Sequence, residues 1–414
     1  MSQPRTLHSV AVIAGSSAVG QLAAFAGTPV IARIYSPAEF GRFAVVTAAA
    51  AVIGSVGALR LDTAIPLPEK DSEAQELAET GLMFALTLMV LGAVAVVAGL
   101  VARLDTLATC GSVVTAGGAM TFYQVTNQYA IRQLRFKAMA RRNALQPLVM
   151  IGVQLLLGVL GLLSWGLILG FTLAYAVSGI SLLSSAGLRL RLRFRWSLLV
   201  KYRKFPLYLV PSGLLNTFGQ QMPVLIVAYV YTSTVAGWFG LTQKSLAVPV
   251  ALMGTAVAQV YLANASRVWR DTPSQLSGLF DAASKRLALA GSGLLILVVA
   301  TAPWLFPTIM GRRWAESGIY AAILAPAIVG QLVASTLSQT LIIVGRQRTQ
   351  LAWDAGRVVC LCVAGLLSRL WLGPTACVVA VSVVLTASYA VLWWLNTRAV
   401  HQSRRRFPQT RLTV

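Results

Sequence analysis

Charged side chains are scarce in this sequence of 414 residues, where they make up only 11%. A water-soluble protein carries roughly 25% charged and 45–50% apolar residues, whereas hydrophobic residues reach 57% here and the mean hydropathy is +0.73. So few charges cannot cover a surface that faces water, and so many apolar side chains exclude a disordered chain. The composition therefore indicates a polytopic helical membrane protein.

Residues that commonly serve soluble enzymes are also few. The two histidines, His8 and His401, lie near the termini, and the four cysteines have no metal-site spacing. There is no glycine-rich loop followed by Lys-Ser/Thr, no HExxH and no CxxC. The sequence therefore disfavours an enzyme and predicts no cofactor and no metal.

Twelve apolar runs are long enough to cross a bilayer as helices. We predict an all-α polytopic membrane protein with spans at 9–32, 41–61, 80–103, 108–131, 144–165, 166–187, 207–231, 235–262, 286–307, 317–344, 350–370 and 374–397. The spans are expected to form two six-helix lobes, with an N-terminal lobe at 1–188, a basic cytoplasmic linker at 189–206, a C-terminal lobe at 207–397 and a basic cytoplasmic tail at 398–414.

The formal net charge of +22 comes from 34 Lys and Arg against 12 Asp and Glu. Most of these cations fall on one side of the membrane when the N-terminus is placed inside, which is the pattern of cytoplasmic loops. This bias predicts that both termini are cytoplasmic, and it accounts for the charge without a nucleic-acid partner. The acidic loop 66–79 is predicted to form a short amphipathic cytoplasmic helix of its own.

Two segments of the chain resemble each other. They read PVIARIYSPAEFGRF, ending at Phe43, and PVLIVAYVYTSTVAGWF, ending at Phe239, and each opens a six-helix block. Parallel halves of this kind are a transporter architecture, with the site at the interface of the repeats near the bilayer midplane. Chance similarity among apolar segments is the alternative.

Ionisable groups inside a bilayer are costly, so each one needs a reason. Lys244 lies about 13 Å into the eighth span at 1.5 Å per residue, where it could contact an anionic substrate or instead snorkel or pair with a distant acid. Arg357 and Asp354 are three residues apart and are expected to pair on one helical face. Arg60 and Arg33 lie at span ends, where contact with headgroups is the simpler explanation.

Polar amides cluster in two spans. Gln124 and Asn127 lie in the fourth span, and Asn216 and Gln220 lie in the seventh. Amides of this kind suit sugar hydroxyls, but they also suit ordinary hydrogen bonds between helices, and both readings stay open. No lone acid lies in the middle of any span, although drug and cation antiporters commonly need one.

Several stretches resemble a known family. They are TPVIARIYSPAEFGRF, YQVTNQYAIRQLRFKAMARRNALQ and AGWFGLTQKSLAVPVALMGTAVAQVYLANAS. They are similar to the polysaccharide transporter family, the lipid-linked oligosaccharide flippases of the multidrug/oligosaccharidyl-lipid/polysaccharide exporter superfamily. The resemblance implies two six-helix lobes and a cation-lined cavity, to which Arg33, Arg60, Lys244 and Arg357 would contribute.

The resemblance implies a flippase that moves undecaprenyl-pyrophosphate-linked oligosaccharides across the bacterial inner membrane for O-antigen, lipopolysaccharide or exopolysaccharide synthesis. Its partners would be the lipid-linked oligosaccharide, membrane lipids, and polysaccharide polymerase and export proteins. Two alternatives are a multidrug or metabolite antiporter on the same fold and a membrane polysaccharide polymerase or ligase. This sequence lacks the acids expected of an antiporter, and it lacks the large outer loop expected of a polymerase or ligase.

Overall fold

Long apolar helices dominate the computed structural model, which describes residues 3–187, 195–368 and 373–406. Seven α-helices precede residue 205: α1 Gln3–Ile34, α2 Pro37–Val56, α3 Asp71–Val101, α4 Asp105–Arg132, α5 Phe136–Val159, α6 Leu163–Ala186 and α7 Trp196–Lys201. Seven more follow: α8 Val210–Val230, α9 Ser233–Asp271, α10 Leu276–Met310, α11 Ala315–Thr336, α12 Gln339–Ile343, α13 Gln347–Leu367 and α14 Pro374–Arg406. The described part of the chain contains no β-strand.

Each predicted span overlaps one of these helices, except that 317–344 covers both α11 and α12. The all-α membrane fold class is confirmed. Eight described helical segments are long and apolar enough to cross a membrane. The count of twelve spans stays a prediction. The predicted linker at 189–206 and tail at 398–414 lie partly outside the described residues, which omit 188–194 and 407–414.

Two compact units make up the chain. The first contains the described residues up to Ala228 together with Thr232–Gly240, and the second contains Tyr229–Tyr231 together with the described residues from Leu241 onward. In this grouping most of α8 belongs to the first unit. The predicted division at 189–206 into two six-helix lobes stays a prediction.

The prediction of a separate helix within 66–79 is wrong. Except for Glu69, the acidic residues of this segment lie in the first turns of α3, which continues without a break from Asp71 to Val101. Asp71 and Glu73 lie in its first turn, where carboxylates are stabilised by the positive end of the helix dipole. Glu79 is buried and accepts a hydrogen bond of 2.9 Å from Gln75 Nε2.

The start of α3 also holds the short helix α7. Lys201 and Tyr202 both donate to Glu73 Oε1, the latter at 3.0 Å, and Arg195 Nη1 lies 2.6 Å from Glu76 Oε1. The hydrogen bond to Glu73 raises the pKa of the Lys201 ammonium. The described end of the basic segment is therefore bound to the first unit through the acids of α3.

The two similar segments meet within the first unit. A Cβ on Gly41 of α2 would collide with the carbonyl oxygen of Ser233 and lie 3.0 Å from the Gly237 nitrogen. A Cβ on Gly237 of α9 would collide in the same way with the carbonyl of Pro37. Small residues let helix backbones approach this closely in membrane proteins. The glycine that the two segments share is thus the point where their helices cross.

A tyrosine at the end of each similar segment's first helix anchors that helix. Tyr35 donates from its hydroxyl to the carbonyl of Gln154 on α5 at 2.7 Å. Tyr231 donates to the carbonyls of Ser368 and Gly373, next to α13, at 3.2 and 3.1 Å. Each unit therefore uses the same residue type for the same purpose, which supports the internal repeat.

Candidate functional site

A buried arginine of α5 is the centre of a polar cluster in the first unit. Arg142 is 7% exposed. Its Nη2 donates to Asn127 Oδ1 at 3.0 Å and its Nη1 donates to Gln146 Oε1 at 3.2 Å. The guanidinium carbon lies 4.4 Å from the centre of the Tyr123 ring. Amide oxygens and an aromatic face thus stabilise the cation in a place where an unpartnered charge would be costly.

Aromatic rings extend from this arginine through the unit. The ring centres of Tyr123 and Tyr175 are 5.5 Å apart, those of Tyr175 and Phe171 are 4.8 Å apart, and those of Phe171 and Phe43 are 6.1 Å apart. The Nε of Arg142 is buried and has no hydrogen-bond partner among the described residues. The cluster therefore combines a cation that keeps one unused donor with a row of ring faces.

The sequence predicts Asn127 as a candidate site residue but not Arg142. With the predicted span at 144–165, Arg142 falls among the cytoplasmic charges. The helix begins earlier, at Phe136, which places Arg142 almost two turns inside it. Arg142 and Gln146 are four residues apart, which places both side chains on one face of the helix. This spacing could have indicated that Arg142 lies inside the helix with a polar partner.

Arg357 forms a second cluster, in the second unit. Its Nη2 donates to Asp354 Oδ1 at 3.1 Å, and both residues are buried. The guanidinium carbon lies 4.5 Å from the centre of the Trp353 ring. Trp353 in turn donates from Nε1 to the carbonyl of Ser388 at 2.7 Å, and its ring lies 6.1 Å from that of Tyr389. The predicted pairing of Arg357 with Asp354 is confirmed.

The two clusters have corresponding places in their units. Arg142 and Arg357 lie on α5 and α13, and the neighbouring tyrosines, Tyr175 and Tyr389, lie on the helices that follow, α6 and α14. Each arginine stacks on an aromatic ring and keeps a buried Nε without a hydrogen-bond partner within the described chain. The difference is the acid, since Asp354 neutralises only the second arginine.

The side chain of Arg60 packs against α8 within the first unit. It follows Leu59, and both residues have left-handed backbone angles, with φ of 60° and 52°. The guanidinium lies directly against Gly213 of α8, where a Cβ would be 2.6 Å from Nε and 2.7 Å from Cζ. Arg60 therefore packs against helix backbone. Any residue larger than glycine at position 213 would displace the Arg60 guanidinium from this position.

The other predicted residues lie on α9, α1, α8 and α4. Lys244 is half-buried on α9, and Arg33 is exposed in the last turn of α1. Gln220 Nε2 donates to Asn216 Oδ1 at 3.1 Å on the exposed side of α8, while Gln124 is half-buried beside Tyr123 on α4. The structure thus brings Asn127 to Arg142 and pairs the two amides of α8. The assignment of these residues to a substrate site stays a prediction.

Comparison with solved structures identifies the class of protein. The fold matches that of the lipid II flippase MurJ in an inward closed conformation, with a TM-score of 0.74 and 12% identity over 95% of this chain and 90% of that chain. It also matches an inward-facing multidrug resistance MATE transporter of the MOP superfamily, with a TM-score of 0.63 and 13% identity over 95% of both chains. The chain is thus a multi-pass membrane protein with the fold of MOP-superfamily transporters and flippases.

The family follows from the sequence itself. The model of the polysaccharide biosynthesis protein family matches residues 30–319, and the chain belongs to this family. The resemblance to the polysaccharide transporters of the MOP superfamily is thereby confirmed. No curated protein sequence gives a significant match to the chain.

Proposed function

We propose that this protein translocates undecaprenyl-pyrophosphate-linked oligosaccharide units across the bacterial inner membrane, for the synthesis of O-antigen, lipopolysaccharide or exopolysaccharide. The observation that carries the proposal is the combination of membership in a polysaccharide biosynthesis family with the fold of a lipid flippase. Both termini would be cytoplasmic, and polysaccharide polymerase and export proteins would act on the translocated product.

The mechanism that we propose is alternating access through a cationic cavity. A pyrophosphate is attracted most strongly to cations where water is scarce, because the effective dielectric constant is low there. Arg33, Arg60, Lys244 and Arg357 are the candidates for this contact, and the structure adds Arg142. Its unused Nε donor and the ring faces beside it suit an anion that carries sugars.

The amides would hold the sugar part of the substrate. The Asn127 side-chain oxygen already accepts a hydrogen bond from Arg142 Nη2, so the Asn127 amide nitrogen would be the donor to a sugar hydroxyl. Gln124 follows Tyr123 in the same helix, and Asn216 and Gln220 form a separate hydrogen-bonded pair on α8. The polyprenyl tail would stay in the lipid.

A second candidate is a multidrug or metabolite antiporter, which the likeness to a MATE transporter favours. An antiporter of cations needs an available acid within the membrane. The buried acids of the described chain are Asp62, Glu79 and Asp354. Asp354 is paired with Arg357 and Glu79 accepts from Gln75, while Asp62 lies just beyond the predicted second span, near the cation of Arg60. This placement of the acids supports the flippase over the antiporter. A membrane polymerase or ligase is the third candidate.

The test is translocation by the purified protein in proteoliposomes. A fluorescent polyprenyl-pyrophosphate oligosaccharide is placed in both leaflets, and the fraction reached by a membrane-impermeant glycosidase is measured over time. We expect the protein to expose the protected fraction, and empty liposomes to leave it protected. Export of cationic dyes without movement of the lipid would contradict the proposal and favour the antiporter. Formation of longer glycans would favour the polymerase.

A further inference from the structure

A groove in the second unit shares Tyr389 with the Arg357 cluster and is otherwise lined by residues of neither polar cluster. It has a volume of about 330 Å³ and lies between α10, α11 and α14. Ala288, Val333, Ala390 and Trp393 line its wall together with Ser284 and Lys285. The wall is almost entirely apolar and suits hydrocarbon, and the end of the groove at Ser284 and Lys285 is called its polar end.

The polar end is built from side chains of two helices. Trp393 of α14 donates from Nε1 to the hydroxyl oxygen of Ser284 on α10 at 3.3 Å. Ser284 is buried, whereas the neighbouring Lys285 is exposed. An exposed lysine beside a tryptophan at the end of a membrane helix is typical of the headgroup region, where both residue types anchor a protein. Lys285 lies one residue before the predicted ninth span, at the end expected to face the cytoplasm.

Asp281 is the acid of α10 nearest in sequence to Lys285, and its Oδ2 lies 4.0 Å from Nε2 of His401 on α14, a contact that is an ion pair only when the histidine is protonated. Arg286, the next residue after Lys285, is also exposed but does not line the groove. Lys285 is therefore the cation placed to contact an anion whose chain occupies the groove.

We propose that this groove is a binding site for one anionic phospholipid of the membrane, with its phosphate on Lys285 and an acyl chain against Ala288, Val333 and Ala390. Basic pockets between membrane helices on the cytoplasmic side bind acidic headgroups in this way. The lipid is a resident of the protein and is not moved by it. The inference therefore goes beyond the proposed function, and the failure of one leaves the other standing.

The inner wall of the groove is formed by a tightly packed tyrosine. Tyr389 lines it, and Gly330 on α11 lets that tyrosine approach, since a Cβ there would lie 3.1 Å from the Tyr389 Cβ. Tyr389 also lies beside Trp353 in the Arg357 cluster. Tyr389 is thus packed between Gly330 and Trp353 and forms a fixed inner wall of the groove.

The experiment measures lipid binding to the full-length protein by native mass spectrometry. Phosphatidylglycerol and phosphatidylcholine with identical acyl chains are added to the delipidated protein in detergent. We expect tighter binding of phosphatidylglycerol, and we expect Lys285→Ala to weaken it about fivefold, the size of effect that one cation near a membrane surface has. The matched control is Arg286→Ala, which removes the neighbouring cation and should change binding less than twofold.

The acyl part of the site is tested by filling the groove. Ala288→Trp should reduce the labelling of α10 and α14 by a phosphatidylglycerol that carries a photoreactive diazirine on its acyl chain. Leu289→Trp is the matched control, because Leu289 is 78% exposed and does not line the groove. Ala390→Trp fills the groove from the opposite wall, so the test remains available if one variant does not fold.

Four results would overturn the proposal. The first is equal binding of the two lipids, and the second is equal effects of Lys285→Ala and Arg286→Ala. The third is displacement of phosphatidylglycerol by inorganic phosphate, which would indicate an anion site without a lipid chain. The fourth is displacement by a polyprenyl pyrophosphate at lower concentration than by phosphatidylglycerol itself, which would indicate a contact for the transported lipid.

Discussion

Arg357 donates to Asp354 across 3.1 Å, with both side chains buried and the guanidinium stacked on Trp353. Three residues separate the two along α13, so one helical turn is enough to bring them together. Removal of one partner from a buried ion pair leaves the other charge without compensation, and this commonly costs about 3–5 kcal/mol.

We therefore expect Asp354→Asn to lower the free energy of unfolding by an amount in that range. The measurement is equilibrium unfolding of the purified protein in detergent. Arg267→Gln is the control, because it removes a cation from an exposed pair, 3.7 Å from Asp271, where the loss is about 1 kcal/mol or less. Equal losses in the two variants would mean that the buried pair contributes no more than a surface pair.

Arg142 differs from Arg357 because its described partners are neutral amides and a ring. Lysine keeps the charge but cannot reproduce the planar fork of donors or the stacking on Tyr123. A hydrogen bond to a charged group is worth about 1.5 kcal/mol or more, so we expect Arg142→Lys to slow translocation roughly tenfold. The control is Arg141→Lys, an adjacent and exposed position. If both variants transport equally well, Arg142 has no part in substrate binding.

Lys244 is the predicted cation of the eighth span. We expect Lys244→Ala to reduce translocation by about tenfold, equivalent to 1.4 kcal/mol, while the amount of protein in the membrane stays normal. Lys204→Ala removes an exposed lysine outside the predicted spans and should have no effect. Transport at the wild-type rate by Lys244→Ala would exclude this residue from the site.

Gly213 offers a way to move Arg60 without removing it. Gly213→Ala would place a Cβ where the Arg60 guanidinium now lies, and the end of a long side chain can shift to make room. Since alanine in a helix is favoured over glycine by about 1 kcal/mol, we expect no loss of stability. We expect transport to fall as far as in Arg60→Ala, and the double variant to show no further loss. Normal transport by Gly213→Ala would show that the present position of Arg60 is not required.

At the crossing of α2 and α9 the neighbouring atoms belong to the backbone, which cannot shift as the Arg60 side chain can. In Gly41→Ala the added methyl group meets the backbone carbonyl of Ser233, and crowding of this kind costs typically 1–3 kcal/mol. We expect a corresponding fall in the unfolding free energy in detergent. Gly293→Ala is the control, because nothing lies within 4 Å of its Cβ position and it should be neutral or slightly stabilising. Equal stability of the two variants would mean that the helices separate without cost.

Several local features could be predicted because they depend on neighbours in the chain. The twelve apolar runs predicted the positions of the long helices, since a helix that satisfies its own backbone is the form such a run takes in lipid. The pairing of Arg357 with Asp354 followed from helical spacing alone. The wrong prediction of a separate helix at 66–79 also depended on local pattern. Hydropathy marks where a helix enters the membrane, but it does not show that the helix continues into water.

The composition and order of residues by themselves determined that this is an all-α membrane protein, since burial in lipid dictates the residue types along each span, and they assign it to the polysaccharide biosynthesis protein family. Only the tertiary structure decided which side chains meet. Asn127 and Arg142 lie on different helices, as do Arg60 and Gly213, and Gly41 meets Gly237 across nearly 200 positions of sequence. Such contacts depend on how helices pack, and packing is set by the fit of whole surfaces, which no local pattern in the chain contains.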